Sequence, residues 1–268
     1  MPELPEVETI TRKLSPVLTN QEICSAELLW DGSLATPSPK EFCQILPGQL
    51  IENVSRRGKF IWITLSQYHL LIHLRMSGDL FTRPIADPIE KHDRVIINLT
   101  GSLSLVFNDT RKFGRIWLTR DPELVLGKLG PEPLTDSFSA EFLHTMLKEK
   151  HRQLKPLLMD QSFLSGLGNI YTDEALHIAR LNPLRKSDSL TIDECIALRE
   201  AIKDVLHEGI LRNGASIDWV YKGGDFQNHF RVYGRKGEAC PTCGAMIEKI
   251  LVGQRGTHFC PTCQSKEE

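Results

Sequence analysis

Cys240-Pro241-Thr242-Cys243 and Cys260-Pro261-Thr262-Cys263, separated by sixteen residues, decide the fold at their end of the chain. Two Cys-x-x-Cys pairs at this spacing are typical of a zinc ribbon, in which four thiolates form a tetrahedral shell. Because such a shell is closed, we expect one structural Zn²⁺ and no catalytic metal. We also expect no organic cofactor. Two disulfides are the alternative, which suits an exported protein, and His258 is a further candidate ligand.

At 268 residues, with 41% hydrophobic and 25% charged content, the chain is long enough for two domains with their own cores. No apolar run approaches the ~20 residues of a membrane span, and the N-terminus lacks the basic-then-apolar pattern of a signal peptide. The cysteines outside the two pairs show no regular disulfide spacing. We therefore expect a soluble cytoplasmic protein.

The net charge of −2 is unusual for a nucleic-acid-binding protein, for which a pI above about 9 is a common sign. Basic residues are nevertheless clustered locally, although each cluster taken alone is better explained by a solvated face than by a DNA contact. The clusters lie at 56–59, 111–115, 148–155 and 231–236.

The order of segments predicts an α+β protein. After a first helix come short β-branched or aromatic runs that predict an antiparallel sandwich, at 22–30, 49–66, 68–76, 93–99, 103–108 and 114–118. The linker Gly130-Pro131-Glu132-Pro133 ends them. Helical periodicity then predicts helices near 139–150, 154–160, 167–180 and 191–213, followed by a loop over 214–230. Thr191-x-x-Glu194 predicts a capping box at the start of the last helix.

The N-terminus reads Met1-Pro2-Glu3-Leu4-Pro5-Glu6. Methionine before proline is usually trimmed, and the secondary amine of Pro2 would then be about a tenth neutral at pH 7, against less than about a thousandth for lysine. Such an amine is an imine-forming nucleophile, and Glu3 and Glu6 could move protons nearby. An ordinary helix start explains the same residues, since proline and glutamate are common in a first turn.

Residues 164–170, Leu-Ser-Gly-Leu-Gly-Asn-Ile, place two glycines directly before a predicted helix. Glycines permit close backbone approach, and the exposed N–H groups of a helix start bind anions. A simple helix-turn-helix corner would look the same.

Several segments spread over essentially the whole chain belong together: MPELPEVET at 1–9, RRGKF at 56–60, IHLRMSG at 72–78, NDTRKFG at 108–114, LGPEPL at 129–134, LSGLGNIYTDEAL at 164–176 and VYGRKGEAC at 232–240. In this order they resemble the bacterial formamidopyrimidine-DNA glycosylases, bifunctional base-excision enzymes that remove oxidised purines.

This resemblance implies a catalytic β-sandwich domain with flanking helices over 1–130, a helix-two-turn-helix DNA-binding domain with a lesion loop over 131–230, and a zinc finger over 231–268. It also implies a monomer in the bacterial cytoplasm, associated with the nucleoid, whose partner is double-stranded DNA carrying an oxidised purine or an abasic site and which does not bind membranes.

The resemblance further implies that Pro2 attacks the sugar of an everted nucleotide, that Glu3 protonates the ring oxygen, and that Lys59 acts at a catalytic position beside the DNA backbone. A Schiff base and β,δ-elimination would follow. Glu6 matches a supporting carboxylate or one that holds the helix start.

The implied DNA-binding residues fall into two groups. One fills the space left by the flipped nucleotide, with an arginine that faces the orphaned base: Met76, Arg111 and Phe113. The other contacts the DNA backbone or the lesion region: His73, Lys155, Asn169, Tyr233 and Arg255. Residues 214–218, Gly-Ala-Ser-Ile-Asp, depart from the family at Asp218, and the following loop looks shorter than in some relatives, so we expect its contacts to differ.

Two alternatives stay open. An endonuclease VIII-type glycosylase would share Pro2, Glu3 and the zinc site but prefer oxidised pyrimidines, and Leu4 together with the space-filling trio favours the purine enzyme. A non-catalytic zinc-containing DNA-damage binder would need no imine-forming amine, so Pro2 with Glu3 and Lys59 argues against it.

Overall fold

The computed structural model describes residues 2–216 and 223–265. The chain forms two compact units, the first made of Met1–Lys128 with Ala215–Gly224 and the second of Leu129–Gly214 with Asp225–Glu268. The first unit is therefore made of two separate stretches of sequence, because Ala215–Gly224 belongs to it although it lies between the two stretches of the second unit. Within the described residues, no helix combines the length and apolar character needed to cross a membrane.

The first unit is built on two β-sheets. In residues 2–216 one sheet has the order β1-β7-β8-β6 and the other β2-β9-β5-β4-β3. Every neighbouring pair is antiparallel except β2 and β9, which run parallel. The strands are β1 (Ile23–Leu28), β2 (Leu34–Thr36), β3 (Ile51–Arg57), β4 (Phe60–Leu65), β5 (His69–His73), β6 (Gly78–Pro84), β7 (Asp93–Leu99), β8 (Leu103–Asp109) and β9 (Arg115–Thr119).

Helices flank these sheets, at α1 (Leu4–Leu18), α2 (Pro39–Ile45) and α3 (Glu123–Leu126). The apolar stripe of α1, with Val7, Ile10 and Leu14, is buried in one cluster with side chains of both sheets. Glu8 accepts a hydrogen bond from Arg56 Nε at 2.6 Å, which ties α1 to β3. The predicted sandwich with a leading helix is confirmed, although α2 and β6 were not predicted.

The predicted run 49–66 is a hairpin of β3 and β4. Arg57 pairs with Phe60, and Gly58 at φ +57° begins the two-residue turn between them. A glycine with positive φ at the first turn position is the requirement of a type II′ turn. The turn places Lys59 at one end of the five-stranded sheet.

The second unit is helical and ends in a β-hairpin. Its elements are α4 (Ala140–Lys148), α5 (Leu154–Leu158), α6 (Asn169–Ile178), α7 (Ile192–Leu211), β10 (Glu248–Val252) and β11 (Arg255–Phe259). The capping box predicted for α7 is present, since Thr191 N donates to Glu194 Oε2 at 2.8 Å and Glu194 N to Thr191 Oγ1 at 3.3 Å. Gly209 on α7 lies against the Tyr171 ring of α6, where a Cβ would meet ring carbon Cε1 at 2.5 Å.

Candidate functional site

The N-terminal residues of the first unit are buried and held by one carboxylate. Glu3 is 2% exposed, and Pro2 beside it is also buried. Glu6 Oε2 accepts from Glu3 N at 2.7 Å, and Glu6 Oε1 accepts from Ala215 N at 2.7 Å. Glu6 therefore fixes both the start of α1 and the returning segment, as expected for a carboxylate that holds the helix start.

Lys59 and His73 lie at the same end of the five-stranded sheet, because Phe60 on β4 pairs with His73 on β5. Burial, followed by the charges of Arg75 and Lys59, lowers the pKa of His73 to about 3. Its Nδ1 accepts from Arg75 N at 3.0 Å. The ring is therefore neutral near pH 7 with its proton on Nε2, which makes it a hydrogen-bond donor without charge.

The three residues predicted to fill the DNA stack lie on two turns of the first unit, one after β5 and one after β8. Met76 is 40% exposed and Phe113 is 47% exposed. The Arg111 guanidinium lies 4.9 Å from the centre of the Phe113 ring. Exposed apolar side chains beside an arginine suit a partner with flat apolar faces and polar edges.

In the second unit, Lys155 and Asn169 meet at the backbone of the β-hairpin. The carbonyl oxygen of Gly256 accepts from Lys155 Nζ and from Asn169 Nδ2, each at 3.2 Å. Lys155 is fully buried, and its ammonium also lies 2.5 Å from Asp173 Oδ1. Asn169 begins α6 directly after Gly168, where first-turn N–H groups point out of the helix.

The tip of the hairpin is shaped by a tight turn. Gly253 at φ +55° and Gln254 at φ +63° both have the left-handed conformation of a type I′ turn. A Cβ on Gly253 would meet Pro156 Cγ at 2.9 Å, so the tip packs against α5. The side chain of Arg255, the next residue, is exposed.

Tyr233 is held through its backbone as well as its ring. Its ring packs edge-on against that of His258, with centroids 5.1 Å apart. Glu174 Oε1 accepts from Tyr233 N at 2.8 Å and from Val232 N at 2.9 Å, and Oε2 accepts from Arg231 N at 2.8 Å. No function was predicted from the sequence for Asp173 or Glu174, although both lie in the segment LSGLGNIYTDEAL at 164–176.

The four predicted cysteine ligands converge at the base of the hairpin. The sulfur atoms of Cys240, Cys243, Cys260 and Cys263 all lie within 4.8 Å of one another, with the 243–260 pair 3.4 Å apart and the 240–263 pair 3.9 Å apart. Tetrahedral zinc with Zn–S bonds near 2.3 Å would hold its sulfurs about 3.8 Å apart. The cluster is therefore a site for one structural zinc.

Two histidines lie near this cluster, and neither is among the grouped ligands. His258, the candidate fifth ligand, has its Nδ1 3.4 Å from Asp173 Oδ2 instead. His177 Nε2 lies 3.3 Å from Cys240 Sγ, and a ring N–H there stabilises thiolate charge. No spacing in the sequence pointed to His177.

The predicted lesion loop is described only at its ends. Ser216 Oγ accepts from Gly224 N at 2.8 Å and donates to Gly224 O at 3.1 Å, which joins the two ends of the returning segment. Residues 217–222, including Asp218, lie outside the described residues, as does Met1.

Family models match three consecutive parts of the chain. They are a formamidopyrimidine-DNA glycosylase N-terminal domain at residues 1–116, a formamidopyrimidine-DNA glycosylase H2TH domain at residues 129–220, and a zinc finger found in FPG and IleRS at residues 237–266.

Full-length relatives show the same likeness. The formamidopyrimidine-DNA glycosylase of Pelotomaculum thermopropionicum is 44% identical over 98% of this chain and 99% of its own, and that of Lactiplantibacillus plantarum is 40% identical over 97% and 98%. The Lactococcus lactis enzyme, solved non-covalently bound to DNA containing an AP site, is 36% identical with a TM-score of 0.92, covering 98% of this chain and 100% of that one. A structure of MutM with DNA containing carbocyclic 8-oxo-G has the same identity and TM-score, over 99% and 100%.

Proposed function

Because the chain belongs to the formamidopyrimidine-DNA glycosylase family, we propose that it everts oxidised purines from double-stranded DNA and excises them through a Schiff base on Pro2. It is a DNA glycosylase and AP lyase of base excision repair, with one structural zinc. The observation that carries the Pro2 assignment is the pair of hydrogen bonds that Glu6 accepts from Glu3 N and Ala215 N. They hold the backbone of Glu3, directly after Pro2, in a defined position.

The reaction begins when the nitrogen lone pair of Pro2 attacks C1′ of the everted nucleotide and the glycosidic bond to the damaged base breaks. The N–H proton of the Pro2 nitrogen passes to the departing base, which leaves neutral. Glu3 gives a proton to the ring oxygen O4′, the C1′–O4′ bond opens, and an iminium ion forms between C1′ and the Pro2 nitrogen. A secondary amine has no second N–H to lose, so the iminium stays cationic.

The positive charge acidifies the C2′–H bond. Loss of that proton expels the 3′-phosphate by β-elimination, and a second elimination expels the 5′-phosphate. The product is a gap of one nucleotide. Lys59 supplies positive charge beside the phosphates, and its burial strengthens that interaction relative to water.

DNA binding uses the remaining predicted residues. Met76 and Phe113 replace the stacking lost on eversion, and Arg111 donates to the orphaned base. The backbone is bound at the start of α6 by Asn169, at the hairpin tip by Arg255, and through the neutral donor of His73. Tyr233 and Lys155 serve the lesion region, Lys155 by holding the hairpin through Gly256.

The three-domain division at 130 and 230 is part of the proposal, with Ala215–Gly224 assigned to the first domain because it joins the first unit. Under this proposal the enzyme works on the chromosome, in the cytoplasm and associated with the nucleoid.

The test is to block the amine of Pro2. Retained Met1 or an N-terminal tag converts the amine to an amide, whose lone pair is delocalised into the carbonyl. On an 8-oxoguanine·cytosine duplex we expect such a protein to lose base excision and strand cleavage together and to give no borohydride-trapped adduct, while still binding the duplex.

A C-terminally tagged protein is the control and should stay active, with intact mass defining each N-terminus. Full turnover by a protein with an intact N-terminal extension would reject Pro2 and direct attention to Lys59 and Lys155.

A further inference from the structure

A buried carboxylate joins the two turns that carry Met76, Arg111 and Phe113. Asp109, the last residue of β8, is 0% exposed. Its Oδ1 accepts from the Ser77 hydroxyl and, at 3.1 Å, from Arg111 N. Its Oδ2 accepts from Gly114 N at 2.7 Å. One side chain thus binds the residue after Met76, the backbone of Arg111 and the residue after Phe113.

Ser77, in the turn after β5, bonds both Asp109 and the turn after β8. Its oxygen accepts from Arg111 N at 3.0 Å while its hydroxyl donates to Asp109. The Arg111 N–H is therefore shared between Ser77 and Asp109. The two turns are far apart in sequence, and these bonds fix the distance between them.

The base of this arrangement is tightly packed. Arg94 Nε donates to Asp109 O at 2.7 Å, which holds the carboxylate's own backbone. A Cβ on Gly114 would lie 2.3 Å from Phe107 Cζ, so the turn after β8 sits directly on the sheet. Little freedom remains below the exposed side chains.

The backbone of the two turns is strained. Arg75 at φ +55° and Lys112 at φ +61° are both in the left-handed region, one in each turn. Non-glycine residues stay in this region when surrounding bonds over-determine the conformation. The bonds from Arg111 N and Gly114 N to Asp109 flank Lys112, so removing them releases the constraint on the second turn.

We propose that Asp109 is a positioning residue that sets how the enzyme discriminates the base opposite the lesion, with Ser77 as its partner. The inference rests on the proposed function, in which Arg111 reads that base. Two donors directed at a base edge must be held within about 0.5 Å to discriminate. Arg111 is exposed, so its position depends on the backbone that Asp109 and Ser77 hold.

Asp109→Asn is the main test because it keeps the shape and replaces one acceptor oxygen with an amide donor. Single-turnover excision of 8-oxoguanine is measured opposite cytosine and opposite adenine. We expect the cytosine-to-adenine rate ratio to fall about fivefold or more, the lower end of the contribution of a good base contact. A duplex with a tetrahydrofuran abasic analogue opposite 2-aminopurine reports, by fluorescence, whether Met76 and Phe113 still insert.

Asp93→Asn is the matched control. Asp93 is equally a buried aspartate of the same sheet and accepts from Arg83 Nη2 at 2.6 Å, Glu90 N at 2.8 Å and Asn108 Nδ2 at 2.9 Å, but it binds neither of the two turns. We expect it to lower the melting temperature without changing the rate ratio.

Ser77→Ala decides the question if Asp109→Asn does not fold, since it removes only a hydroxyl. An unchanged ratio in every folded variant of Asp109 and Ser77 overturns the inference. Wild-type enzyme without excision opposite cytosine would instead overturn the proposed function, so the two failures are distinct.

Discussion

Substitution of Asp173 by asparagine should destabilise the second unit strongly. The carboxylate is fully buried, faces the buried ammonium of Lys155 at 2.5 Å, and accepts from His258 N at 2.9 Å. Asparagine has nearly the same size and still offers an oxygen to His258. The change therefore removes a charge while keeping the packing.

Its magnitude follows from burial. Removing one partner of a buried ion pair leaves the other charge in a medium of low polarity and costs about 3–5 kcal/mol. At roughly 3 °C per kcal/mol, the melting temperature should fall by about 9–15 °C. Because Lys155 also holds Gly256, the hairpin should become protease-sensitive before the helices unfold.

The assay is chemical denaturation of wild type, Asp173→Asn, Lys155→Met and the double variant. The double variant should recover much of the loss, since no buried charge remains. Arg152→Met is the matched control, because Arg152 and Asp160 form an ion pair whose side chains are 48% and 32% exposed, and its loss should cost at most about 1 kcal/mol. A loss below about 1 kcal/mol in Asp173→Asn, or a double variant less stable than both single ones, would refute the reasoning.

Three further outcomes are expected. Cys260→Ser should lose zinc by metal analysis and weaken DNA binding while the first unit stays folded, and zinc-free active wild type would contradict this. Arg111→Ala should lower the ratio of the excision rates opposite cytosine and opposite adenine, by the equivalent of about 1–3 kcal/mol of discrimination. An equal loss of excision rate opposite both bases would instead assign Arg111 to backbone positioning. For His73, whose folded pKa is about 3, stability is fully present above the unfolded pKa near 6.5 and is lost as the pH falls towards 3. Between pH 7 and 5 the free energy of unfolding of the wild type should fall by about 2 kcal/mol more than that of His73→Gln. If chemical denaturation shows the same pH dependence of this free energy for both proteins, the ring is not held neutral.

Local patterns in the sequence were sufficient where local geometry determines the structure. The zinc cluster was predicted correctly because each Cys-x-x-Cys turn places two thiols on its own, and the start of α7 because a capping box needs only Thr191 and Glu194. Strand β6, Gly78–Pro84, was missed because glycine and proline at its ends suggest a turn, while its pairing with β8 is non-local.

Buried carboxylates were harder to interpret. Asp109 and Asp173 look like ordinary solvated acids in the sequence, since no local sequence pattern indicates that they are buried. Their partners come from other elements, such as Ser77 for Asp109 and His258 for Asp173. Roles of this kind depend on tertiary packing, which hydrophobic periodicity does not encode.

The return of Ala215–Gly224 to the first unit limits how the protein can be divided. A fragment ending at Lys128 would keep the sheets and α1 but would lack the Ala215 N–H that binds Glu6 Oε1. The first unit therefore cannot be transferred as one contiguous stretch of sequence, because Ala215–Gly224 is encoded between the two stretches of the second unit. Recombination between homologues that separates residues 1–128 from 215–224 would exchange Glu6 and its Ala215 partner independently, so we expect the two stretches to be inherited together.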